Sequence, residues 1–168
     1  MHSLLKRMIF PIALGAIVGL CGISSAPAWT SHGDDEIVGT WMVTVQLNNC
    51  SGVNLGPSFA SLLTFADGGT FMEDTLNPSF APGQRSAGHG IWEYQGHHSY
   101  SAKSIAFINF TTTTPLPGFT QGTQTITQTT DFDHGPDQWT AAAQVQFADA
   151  TGTVYRQACA NATAKRFE

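Results

Sequence analysis

Val38-Gly39-Thr40-Trp41-Met42-Val43-Thr44-Val45-Gln46-Leu47 decides the fold. Trp41, Val43, Val45 and Leu47 fall on one parity, opposite Thr40, Thr44 and Gln46. Side chains on a strand point alternately to its two faces, so apolar residues at a period of two mark a half-buried strand. The far end of the chain repeats the pattern. In 138–149, Trp139, Ala141, Ala143, Val145 and Phe147 oppose Thr140, Gln144 and Gln146. In 153–167, the row from Val154 through Arg156 and four alanines to Arg166 opposes Tyr155, Gln157, Cys159, Asn161, Thr163 and Lys165.

Between these ends no stretch holds an apolar period of 3.6, and Gly, Pro and Thr interrupt every candidate helix. Eight strands are expected, at 38–47, 60–66, 69–75, 88–95, 98–111, 121–132, 138–149 and 153–167. Asp67-Gly68-Gly69, Gln95-Gly96, Gly135-Pro136-Asp137 and Thr151-Gly152 supply turns, and 48–59, 76–87 and 112–120 are longer connections. Eight strands in series, mostly hairpin-linked, predict an all-β, eight-stranded antiparallel up-and-down barrel.

Residues 1–28 read as an export signal. Lys6 and Arg7 precede an apolar stretch, and Ala26-Pro27-Ala28 supplies small residues for cleavage. This places the protein in the periplasm or outside the cell, with no stable membrane insertion after cleavage. Lipid anchoring through Cys21 is disfavoured by bulky Leu20 just before it. Residues 29–37 read as a flexible polar arm, and 38–168 as a single barrel domain. Without Lys6 and Arg7, five basic residues face twelve acidic ones, a net −7 that argues against nucleic acid as a partner.

Cys50 and Cys159 are then the two remaining cysteines, and an oxidising compartment favours their pairing. The bond would tie the first strand to the last. If the cysteines lie opposite each other on antiparallel strands, facing residue numbers sum to about 209 and Val43 faces Arg166.

Gly39-Thr40-Trp41 on the first strand, with Arg166 near the end of the last, resembles the lipocalin and wider calycin superfamily. The resemblance implies a barrel whose first-strand Trp41 closes one end beneath the Arg166 guanidinium, a cation–π contact. It also implies a small apolar or amphipathic ligand held inside. The C-terminal helix and mid-barrel loop motif usual in lipocalins are not evident.

The expected interior sets small residues (Ala141, Ala143, Ala158, Ala160) against aromatic ones, and Trp92, Tyr94, Tyr100, Trp139 and Arg156 are the candidate ligand-binding residues; the alternative is that the aromatics fill the narrow barrel and Arg156 sits at its rim. No cofactor is expected. A second reading is a cofactor-free isomerase or cyclase of the allene oxide cyclase or dirigent type, with Arg156, Tyr100 and Glu93 as its groups. A third is a structural or interaction module. In it the run Ile105-Ala106-Phe107-Ile108-Asn109-Phe110, apolar on both faces, is a candidate homodimer surface.

Other clusters read as structural. His89 and Glu93 share a strand face about 13 Å apart, too far for one metal, and His97 and His98 point to opposite sides. Asp131-Phe132-Asp133-His134-Gly135-Pro136-Asp137 carries His134 where a calcium loop needs oxygen. Thr123, Thr125, Thr127 and Thr129 form an exposed ladder, and loop 76–87, with Phe80 and Arg85, is a candidate lid. No nucleophile motif, phosphate loop or dinucleotide fingerprint is present.

Overall fold

A computed structural model describes residues 36–110, 118 and 120–167. The export signal, Cys21 and most of the polar arm lie outside these residues. The strands are β1 (Gly39–Asn48), β2 (Phe59–Ala66), β3 (Thr70–Thr75), β4 (Gly88–Gly96), β5 (Ser99–Asn109), β6 (Gln121–Asp131), β7 (Gln138–Asp149) and β8 (Val154–Arg166). Each pairs antiparallel with the next and β8 returns to β1, closing an up-and-down barrel with no helix among the described residues. Closure leaves no sheet edge unpaired.

Cys50 and Cys159 are bonded, with Cα atoms 4.9 Å apart. The register differs from the expected one by two residues. Trp41, not Val43, faces Arg166, and Cys159 faces Asn48. Cys50 lies beyond the end of β1 with φ +62°, and its N–H donates to Asn48 Oδ1 at 2.8 Å. The disulfide therefore bridges from a turn back onto β8. A slip of two preserves parity, so every inward residue of β1 and β8 stays inward.

The two ends of the barrel differ. At one end three short connections join β2 to β3, β4 to β5 and β6 to β7. His97 and His98 both have positive φ (54° and 59°), as a two-residue primed turn requires. That assigns the histidine pair to the hairpin, where His98 Nδ1 also meets Glu36 Oε2 at 2.7 Å. The longer connections 49–58 and 76–87 leave from the opposite end.

The hairpin end is plugged. Trp41 and Tyr100 are fully buried, Trp139 is 1% exposed, and Trp92, Phe65, Phe71 and Phe132 pack with them. Trp41 meets Phe132 edge-on at 5.5 Å and Trp139 at 5.9 Å, while Trp92 meets Tyr100 at 5.9 Å. Burying each large apolar side chain contributes roughly 1.5–3 kcal/mol, so this plug is the main core of the domain. Ile37 belongs to it: the side chain is fully buried and its carbonyl accepts Trp41 Nε1–H at 2.8 Å. The last two residues of the expected flexible arm, Glu36 and Ile37, are thus packed against the barrel.

Arg166 seals the plug, its guanidinium 4.2 Å from the Trp41 ring centroid. It donates to the carbonyls of Val38, Glu36 and Pro136 at 2.8–2.9 Å and to Asp137 Oδ1 at 3.0 Å. Gly39 makes room for it. Its φ is +129°, and a Cβ there would lie 2.8 Å from Arg166 Nη1.

Candidate functional site

Above the plug the barrel encloses a cavity of about 60 Å³. Leu63 and Phe71 form its floor, while Leu47, Phe59 and the loop residue Asn77 mark its reach toward the long-loop end. Val43, Val45, Val145, Ala143, Ala160 and Ala162 supply apolar wall. The alanines of β7 and β8 matter through their size, because a larger side chain at Ala160 or Ala162 would occupy this space. Several waters fit in such a volume, but pockets that enclose drug-sized ligands span roughly 300–1,000 Å³. A whole long-chain lipid does not fit.

One wall is polar. Glu73 of β3, Ser104 of β5 and Gln124 of β6 are each 3–6% exposed and border the cavity. Beside them lies Arg85, whose side chain is 4% exposed. Its Nη2 donates to Glu73 Oε1, its Nε to Gln124 Oε1, and its Nη1 to Ser86 O at 3.0 Å. Ser104 Oγ also donates to Glu73 Oε1, at 3.1 Å. The result is a neutral, hydrogen-bonded cluster, as buried charge requires.

Local backbone explains how Arg85 reaches this position. Residues 84–86 continue the line of β4 alongside β5: Arg85 bridges Ile108, Ser86 N–H donates to Phe107 O, and Asn109 N–H donates to Gln84 O. The pairing offset changes by one between Arg85–Ile108 and His89–Ile105, so one extra residue is accommodated in between. Glycines on β4 complete the arrangement. A Cβ on Gly88 would come within 2.3 Å of Glu73 Oε1, and one on Gly90 within 2.4 Å of the Phe71 ring. The two β3 side chains thus lie across β4 where β4 has none. Loop 76–87 contributes a strand extension and an interior arginine, while Phe80 packs 6.4 Å from Phe147.

The sequence-derived candidates lie elsewhere. Trp92, Tyr100 and Trp139 belong to the plug, with Trp92 Nε1 donating to the carbonyls of Ala66 and Thr70 at 3.0 and 3.1 Å. Tyr94 is 36% exposed and packs on Tyr100. Arg156 is exposed near the long-loop end, its guanidinium 5.6 Å from the Phe147 ring. None of the five borders the cavity. Alternation assigns a residue to a face, but its height along the axis depends on register and strand stagger. The proposed catalytic group also disperses, for Glu93 and Arg156 are exposed and Tyr100 is fully buried.

Glu73 and Gln124 were legible in principle. Each is a polar residue on the inward parity of its strand, beside Phe71 and Ile126 respectively. Among the described residues no three His, Cys, Asp or Glu side chains converge on a common metal position.

A wider depression of about 570 Å³ lies on the outer wall beside the disulfide, bordered by Thr127, Thr129, Gln144 and Asn161. It is larger and more open, and its border mixes exposed Thr127, Thr129, Gln144 and Asn161 with buried Asn48, Gln128 and Ala160. The interior cavity offers the enclosed apolar walls and converging polar groups that hold a small molecule. The Thr ladder faces outward, with Thr127 and Thr129 bordering the depression. The chain matches no protein-family model, and no curated protein matches it in sequence.

Proposed function

We propose that the protein is an exported barrel that binds a small amphipathic molecule in the cavity above its aromatic plug. The observation that carries this reading is the asymmetry of the interior. One end is filled by its own aromatic side chains, and the other retains space lined by apolar residues and a converging polar wall. A barrel selected only for stability gains nothing from space left empty, because unfilled volume forfeits packing contacts. The Gly-x-Trp and Arg166 arrangement fits the calycin-like reading of the sequence, in which that pair closes the end opposite the ligand.

The plug bears on the assay. Trp41, Trp92 and Trp139 are buried below the cavity and none borders it, so intrinsic fluorescence is a poor reporter. The test is a methyl NMR titration with short amphipathic molecules. The methyls of Val43, Val45, Leu47 and Val145 are expected to shift while those of outward Ile91 and Ile105 stay fixed. Uniform insensitivity of the cavity methyls would remove the reading.

We also propose self-association through the outer flank of β4 and β5, supported by one observation. Phe107, Ile91 and Ile105 are 67%, 59% and 48% exposed, whereas Ala106 and Ile108 of the same run point inward. Sedimentation that shows only monomer at high concentration would exclude this.

A further inference from the structure

Resting on the binding reading above, we infer that the cavity selects an uncharged ligand carrying an amide or hydroxyl group, and that it discriminates against carboxylates. Four observations lead there.

The first is charge. Among the described residues that border the cavity, Glu73 is the only charged one, and its partner Arg85 does not border the space. The charged group on the cavity surface is therefore the carboxylate and not the guanidinium. The cluster is neutral as a whole, but the side facing the ligand is its negative one, so a ligand carboxylate is repelled.

The second is the orientation of Gln124. Arginine has donors and no acceptor, so the Gln124 atom facing Arg85 Nε must be its oxygen. That fixes the amide and turns its N–H groups away from Arg85. No described residue accepts a hydrogen bond from Gln124 Nε2, although the side chain borders the cavity and the residue is 5% exposed. Here are two donors in fixed orientation beside an interior space, suited to a carbonyl or hydroxyl oxygen.

The third is that Asn77 repeats this logic at the upper rim. Its Oδ1 accepts the Ser79 N–H at 2.9 Å, which again commits the oxygen and leaves the N–H₂ for another acceptor. Asn77 is 8% exposed and borders the same cavity. Fourth, Thr75 Oγ1, from another residue bordering the cavity, is buried without a partner among the described residues. Unpaired buried polar atoms are rare in folded proteins, and a hydroxyl can both donate and accept.

Donors on Gln124 and Asn77, remaining acceptor capacity on Glu73 and a two-way hydroxyl on Thr75 together match a group that accepts and donates without net charge. A primary amide or an alcohol is such a group. A bare hydrocarbon leaves the donors unpaired, and an ammonium ligand leaves the amide N–H groups facing a donor. The volume restricts the enclosed part to a short body, with any longer tail extending toward the long loops.

The experiment uses three four-carbon probes on the full chain: butanamide, butan-1-ol and butanoate. Binding is read from cavity methyl shifts and from the side-chain amide resonances of Gln124 and Asn77. Butanamide and butan-1-ol are expected to move both sets of signals, with butanoate at least about tenfold weaker, as a single unfavourable charge contact implies. Glu73→Gln leaves the Arg85 charge uncompensated, so the preference for butanamide over butanoate is expected to collapse or reverse. Gln124→Leu removes the oriented donors and is expected to weaken butanamide at least about tenfold. That variant serves even if Glu73→Gln does not fold. Equal wild-type affinity for butanoate and butanamide would overturn the selectivity while leaving the binding reading intact. If none of the probes moves a cavity signal, the binding reading itself falls.

Discussion

Breaking the Glu73–Arg85 pair from one side is expected to damage the protein more than removing both partners. Arg85→Met leaves the Glu73 carboxylate buried at 8% side-chain exposure, with Ser104 Oγ as its remaining hydrogen-bond donor. Glu73→Met leaves the Arg85 guanidinium buried at 4% side-chain exposure against Gln124 Oε1 and a carbonyl. Methionine keeps an unbranched stem, which matters at position 73 because the Glu73 Cγ lies 2.6 Å from where a Gly88 Cβ would be. Removing one member of a buried ion pair costs roughly 3–5 kcal/mol, because the survivor keeps its desolvation penalty without its partner. At roughly 3 °C per kcal/mol for a domain of this size, that is a loss of about 10–15 °C in Tm. The double variant carries neither charge of this pair. It retains the cost of leaving Gln124 and Ser104 short of partners, about 1–3 kcal/mol for each group that finds no other partner. Urea denaturation of the four proteins forms a double-mutant cycle. The double variant is expected to be more stable than either single one. Additive losses of about 6–10 kcal/mol would show that the two side chains do not act as a pair, and the polar wall would need another description.

Gly39→Ala is expected to lose at least about 1 kcal/mol more than Gly52→Ala in urea denaturation. Both glycines have positive φ, a strain of roughly 1–3 kcal/mol for other residues, but only at Gly39 does the new Cβ meet Arg166; equal losses would remove the steric role. Cys50→Ala with Cys159→Ala opens a covalent loop spanning a separation of 109 residues. The expected cost is about 4–5 kcal/mol in the chain-entropy model, checked by comparing oxidised and cysteine-free proteins; a difference near zero would mean that the cross-link does not restrict the unfolded chain as that model requires. Asp149 titrates below its ordinary 3.8, chiefly because Thr151 Oγ1 donates to its carboxylate, with the Thr153 and Thr151 backbone N–H groups also donating. A depressed carboxylate pKa adds stability that is present above 3.8 and lost as pH falls through the lower folded value. NMR titration is expected to place the wild-type midpoint below 3.8 and to move it upward in Thr151→Val; an unmoved midpoint would contradict this cause.

Architecture was legible because each strand carries its own period. Trp41-Val43-Val45-Leu47 on β1 and the alanine row on β8 declare an inner face from local sequence alone, and glycine-bearing turns separate the strands. Height along the barrel was not legible. Trp92 and Trp139 share the inward parity expected of a ligand wall, yet register brings them level with Trp41 and Phe132, where they fill the barrel. The register itself resisted reading because Cys50 belongs to a turn and not to the ladder, which shifts the inferred pairing by two. Arg85 was hidden by its neighbours, since Pro78, Pro82 and Gly83 mark the segment as a loop. Only the interruption between Arg85 and Gly88 returns it to the β4 line. Glu73 was the missed signal: a carboxylate on the parity of Phe71 demands a buried partner.

Whether the interior above the plug is a ligand site is decided by a crystal structure of the protein grown with butanamide. Density for the amide is expected between Glu73, Gln124 and Thr75, its oxygen within hydrogen-bonding distance of Gln124 Nε2 and its alkyl body against Val43, Val145 and Ala160. A cavity closed by its own side chains, or butanamide bound instead among Trp92, Tyr94 and Trp139, would contradict the ligand-site reading.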